Sequence, residues 1–135
     1  MPANTSPIFP LTPNLAWATL TAANTAKDGT GTVVTVFTAG ANGARLDYLK
    51  VRALGTNVAT VLRVFVNNGN DPTVATNNSL FLEQTIAATT LSEVAQLVDN
   101  IIQLDLSLPV GYKINVTIGT TVAAGLQVTG VGGDY

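Results

Sequence analysis

The residues able to do chemistry are few and scattered. Carboxylates stand at Asp28, Asp47, Asp71, Glu83, Glu93, Asp99, Asp105 and Asp134. Hydrolysis by paired carboxylates needs two of them a few ångströms apart, and the sequence alone leaves that open. Histidine and cysteine are absent, which removes the commonest general base and metal ligand, the thiol nucleophile, disulfides and soft-metal sites. The four serines sit in no nucleophile elbow and no S-x-x-K arrangement. This is the inventory expected of a protein that is not an enzyme and carries no cofactor.

One loop is rich in oxygen ligands: NNGNDPTVATNN, Asn67 to Asn78. Asn67, Asn70 and Asp71 around Gly69 could face a hard cation such as calcium, but the group carries a single charge and lacks the spacing of an EF-hand. The simpler reading is an Asn-Gly turn whose Asn and Asp side chains bond their own backbone. Asn4-Thr5-Ser6, Asn77-Asn78-Ser79 and Asn115-Val116-Thr117 match the glycosylation pattern. The start, MPANTSPIFPLTPNL, lacks the basic and apolar regions of a signal peptide, so these sites are expected to be unused. Trp17 with one or two tyrosines would suit sugar stacking if exposed, whereas core packing is the commoner fate of aromatics in strands.

Composition narrows the partners. Of 135 residues only 10% are charged, against 47% hydrophobic, and the net charge is −2. An average soluble domain is about 25% charged; here Thr, Asn, Gly and Ala take the place of charge. Little electrostatic repulsion then opposes assembly. No basic run or stripe offers a nucleic-acid footprint, and no apolar segment approaches the roughly 20 residues of a membrane-spanning helix.

The positioning elements read as strands. Four prolines, Pro2, Pro7, Pro10 and Pro13, fall in the first fifteen residues around Ile8, Phe9 and Leu11. They predict an extended arm over residues 1–15, docked on its own core or on a neighbour. Residues 16–135 then form one domain in which Thr/Val-rich runs alternate with Gly/Asn/Asp turns. Expected strands are Ala16–Ala23, Thr32–Thr38, Arg45–Leu54, Val58–Asn67, Ser79–Ala87, Ile101–Leu108, Tyr112–Ile118 and Leu126–Val131. IIQLDLSL and YKINVTI both alternate cleanly, and Pro109-Val110-Gly111 between them predicts a tight hairpin. In RLDYLKVRAL the apolar phase switches, which predicts a bulge near Tyr48. TLSEVAQL, Thr90 to Leu97, has capping-box spacing and predicts one or two helical turns. Eight strands with one long connection predict an all-β, two-sheet antiparallel β-sandwich, with a jelly roll as its topology.

One strand raises a question. VATVLRVFV is apolar on both alternating faces: Val58, Leu62, Val64 and Val66 on one, Ala59, Val61 and Phe65 on the other, broken only by Arg63. Either the arm or a neighbouring subunit is expected to cover the second face, with Arg63 at its rim, solvated or paired across the contact. Ile8, Phe9, Leu11, Val61, Arg63 and Phe65 are therefore the candidate interface residues.

The blocks TNVATVLRVFVNNG (Thr56–Gly69), LPVGYKINVTIGTT (Leu108–Thr121) and VTGVGGDY (Val128–Tyr135) resemble small virion-associated proteins of tailed bacteriophages and prophages, some of which act as capsid decoration or cement proteins. The blocks are strands and turns without a chemical signature, so the resemblance carries over no functional residue. It implies a structural virion protein on the capsid surface, made in the host cytoplasm. Its partners would be the major capsid protein and itself, as a homotrimer on three-fold positions. A glycan- or receptor-binding module of a phage tail or fibre is the alternative.

Overall fold

The computed structural model describes residues 10–97 and 99–135. They form an all-β sandwich of two antiparallel four-stranded sheets. In chain order the strands are β1 (Thr12–Leu20), β2 (Val34–Thr38), β3 (Ala44–Ala53), β4 (Thr60–Asn67), β5 (Asn78–Ile86), β6 (Asp99–Leu108), β7 (Lys113–Ile118) and β8 (Leu126–Asp134). Sheet A has the order β1-β8-β3-β6 and sheet B the order β2-β7-β4-β5. The core lies between them: Leu46, Leu49, Val51 and Val128 from sheet A meet Val36, Phe37, Leu62, Val64, Ile114, Val116 and Ile118 from sheet B.

Each expected strand is present, with ends moved by up to four residues. The largest shift is at the start. β1 begins at Thr12, so the last part of the expected arm is strand, and Pro13 pairs with Gly133 inside the sheet. β1 is an edge strand, which is where a proline that cannot donate to the ladder is tolerated. The phase switch in β3 is a register irregularity between Leu46 and Tyr48 against both neighbouring strands. It places Leu46 and Leu49 inward, three residues apart, where strict alternation would put one of them outside.

Two expectations are corrected. β6 and β7 do not form a hairpin: β6 pairs with β3 in sheet A, and β7 with β2 and β4 in sheet B. Pro109–Gly111 is a tight turn, closed by Tyr112 N donating to Pro109 O with Gly111 at φ 76°, but it carries the chain from one sheet to the other. Its two dry faces meet across the core instead of lying side by side. Residues 90–97 are bends and coil, not helix. Val94 is 97% exposed and Leu91 is also exposed, so only Leu97 of the intended apolar face finds something to pack on. Ser92 Oγ accepts from Val94 N, a local bond that competes with helix formation.

Candidate functional site

The second face of β4 is covered within the chain itself. Leu62 and Val64 point into the core and Val66 packs against it. Phe65, on the opposite face, is 0% exposed and lies outside that core cluster. The cover comes from the connection between β1 and β2, residues 21–33. Asn24 N donates to Ile118 O at the end of β7. At the far corner of the sheet, Asn78 Nδ2, at the start of β5, donates to Asp28 O. β4 stands between β7 and β5, so the connection must cross its outer face to reach both anchors. Asn67, Asn115 and Thr117 on that face are buried as well.

This strap works through backbone and small residues. Asn24 Nδ2 donates to Thr30 O and Thr32 O and its Oδ1 accepts from Ala26 N, closing the tip into a loop. Gly29 holds φ 77° and lies against Asn78, where a Cβ would come within 2.6 Å of the Asn78 Cβ. Glycine supplies both the conformation and the clearance. Asp28 accepts from the Thr30 hydroxyl at 2.6 Å and from Thr30 N at 3.1 Å, and these bonds hold its carboxyl below the usual range.

Arg63 is drawn under the same cover, contrary to the solvated or intersubunit position expected of it. It is 8% exposed and aligned between Thr117 of β7 and Glu83 of β5. Glu83 Oε1 stands 3.9 Å from its Nε, beyond hydrogen-bond distance. Arg63 Nε and Nη1 and Thr117 Oγ1 are buried with no protein partner.

Of the proposed interface residues, then, Phe65 and Arg63 are occupied in cis and Val61 is half-buried beside them. Their burial answers the apolar excess of β4 without a neighbouring subunit. Ile8 and Phe9 lie outside the described residues. Leu11 is the one member of the set on open surface, 84% exposed.

Leu11 leads to a surface that the sequence signalled only through Trp17, as a stacking residue if exposed. Along β1, Ala18 and Leu20 face the core while Leu15 and Trp17 point outward, Trp17 at 62% exposure. The register extends both positions across sheet A. Leu15 aligns with Val131, Tyr48 and Gln103, and Trp17 with Thr129, Lys50 and Ile101. Ile101 is exposed. An apolar and aromatic area thus occupies the outer face of sheet A. Charges are set into the same face: Arg45 bonds Asp47 and Asp105, and Lys50, in register between Thr129 and Ile101, pairs with Asp99 together with Arg52.

The 67–78 loop uses its oxygens on its own chain. Asn67 Oδ1 accepts from Gly69 N, Asn68 Oδ1 from Asn70 N, and Asp71 Oδ1 from Thr73 N and Oγ1. The threonine bonds lower the Asp71 pKa, as they do at Asp28. Asn78 closes the loop by donating to Pro72 O and accepting from Asn67 Nδ2. Among the described residues no group of three or more acidic side chains is placed to hold a metal ion. No family model, curated protein or solved structure matches the chain.

Proposed function

We propose that this chain is a structural protein of a bacteriophage particle, a decoration or cement protein that stabilises the head through contacts with the major capsid protein and with itself. The observation that carries the reading is the exposed apolar pair Leu15 and Trp17 on β1, with Leu11 just before that strand, extended across the outer face of sheet A by Val131, Tyr48 and Ile101. Such a surface gives association by shape and apolar burial, about 25 cal/mol per Å² covered. The low charge of the chain leaves little to oppose it. The interleaved order β1-β8-β3-β6 against β2-β7-β4-β5 supports the finer description of the fold as a jelly roll, which is common in shell proteins.

The test is direct. Purified particles are analysed for the protein, and particles made without it are heated beside complete ones. Loss of DNA at a lower temperature supports the cement role; equal integrity removes it. A glycan-binding module of a tail or fibre is the second reading, favoured by the exposure of Trp17 on the same sheet face as Tyr48. Saturable binding on a glycan array, abolished by Trp17→Ala, would select it.

A further inference from the structure

The fold leaves one broad surface for association. A sandwich can associate through its strand edges or through its outer faces, and here each edge strand carries a feature that blunts it. β1 contains Pro13. β2 is bulged at Val36 and β5 at Phe81. β6 is irregular at Leu104–Asp105, where Asp105 takes φ 48°. Prolines and bulges at edges interrupt the ladder that another strand would extend. Of the two outer faces, that of sheet B is buried along β4 and β7 and open only along its edge strand β5, where Leu80 and Phe81 are exposed. The wider uncovered face is that of sheet A, with Leu15, Trp17 and Ile101 exposed.

We infer that two copies of the chain pair through this face, sheet on sheet, about a two-fold axis; the inference rests on reading the chain as an assembly component and names the surface it uses. Charge supports a second copy as the occupant. Three cations, Arg45, Lys50 and Arg52, and three carboxylates, Asp47, Asp99 and Asp105, sit on or beside the face, each already in an ion pair within the chain. The face is therefore electrically neutral (3 − 3 = 0), so a copy meets no net repulsion from itself, and a strongly acidic or basic partner gains no net attraction.

Size supports it too. Four strands about 4.8 Å apart, each about nine residues long at about 3.3 Å per residue, present roughly 600 Å² of flat area. Two such faces bury on the order of 1,200 Å², the lower end of the range for specific interfaces. The arrangement is isologous: the same face meets itself about the axis, with Leu15 and Trp17 contributed by the edge strand β1, Ile101 by the edge strand β6, and the internally paired Lys50 and Arg52 by β3 between them.

Trp17 is the only tryptophan, so its emission reports on this face alone. The full chain is examined by sedimentation velocity over a dilution series, with fluorescence read on the same samples. A mass twice the 13.9 kDa of the chain is expected at high concentration. On dilution it falls to the monomer, with a red shift of Trp17 emission over the same concentrations. Trp17→Arg and Leu15→Glu should each weaken pairing on the order of thirtyfold or more, with the far-ultraviolet spectrum unchanged. Val74→Glu, at an exposed apolar residue of the loop that joins β4 to β5 in sheet B, should pair as the parent does.

A chain that stays monomeric throughout overturns the inference, as does a trimer or an association that survives both substitutions. A monomer that is nevertheless found in purified particles would overturn self-pairing and leave the virion reading standing. A dimer absent from particles would do the reverse.

Discussion

The side-chain amide of Asn78 donates to the backbone carbonyl of Asp28 at 3.1 Å. The bond joins the tip of the strap to the first residue of β5, fifty positions along the chain. The same amide group also donates to Pro72 O at 2.8 Å. One side chain therefore fastens two loops over one end of sheet B. Asn78→Ala removes both donors and leaves the carbonyls to find water. A loss of about 1–3 kcal/mol is expected in urea denaturation. Hydrogen exchange should rise in residues 24–32 before it rises in β3 or β8; uniform exchange across the chain would show that the strap has no separate opening.

Phe65→Ala should reduce stability by about 3–5 kcal/mol, the usual cost of emptying a buried aromatic site. It should leave the association state of the surviving folded protein unchanged, because Phe65 is enclosed by its own chain. Denaturation and sedimentation of the same sample read the two effects separately. Dissociation without loss of stability would place Phe65 in an intersubunit contact after all.

Arg63 gives the opposite expectation. A buried guanidinium with two unpartnered nitrogens loses its hydration for little return, and replacing such a group by an apolar one of similar volume is often neutral or stabilising by about 1–4 kcal/mol. Arg63→Met is therefore expected to hold or raise the melting temperature. Glu83→Gln should change it little, since that carboxylate is about half exposed and its attraction is screened by solvent. A sharp loss of stability in the Met variant would mean that Arg63 carries a contact beyond those of this single chain.

Two turns resist acid to below the ordinary carboxylate range. The carboxyls of Asp28 and Asp71 are lowered by hydrogen bonds from Thr30 and Thr73. A depressed folded-state pKa stabilises above the ordinary value of 3.8, and that contribution is lost as pH falls through the folded value. The Thr30 and Thr73 amide signals in a nuclear magnetic resonance titration should accordingly shift with midpoints below 3.8, and Asp28→Asn and Asp71→Asn should remove the respective transition. Midpoints at or above 3.8 would contradict the bonding at these turns.

Strand positions and the β3 irregularity were legible because alternation records which side of a sheet each residue faces. Leu46 and Leu49 cannot both face the core without an irregularity between them, and one is there. Pairing partners were not legible. The pattern of β6 and β7 is the same whether they share a sheet or face each other, and a tight turn permits either. The cover over Phe65 left no mark either, since residues 21–33 enclose it with Asn, Ala, Gly and backbone carbonyls instead of a hydrophobic run. Exposure of Trp17 was the rarer of the two fates weighed, because β1 has small alanines on its inner side and large residues on its outer side, the reverse of the usual distribution.

The pairing of the first strand with the last has a consequence for biosynthesis. The strand ladder of β1 is with β8 alone, from Thr12 against Asp134 to Leu20 against Leu126. A ribosome makes Leu15 and Trp17 more than a hundred residues before their partner strand exists. β2 likewise waits for β7. Sheet A cannot close until β8 has been made, and long-range pairing of this kind folds slowly. During that interval β1 is an unpaired apolar strand among many identical nascent chains, so the yield of native protein should fall with expression rate before it falls with temperature.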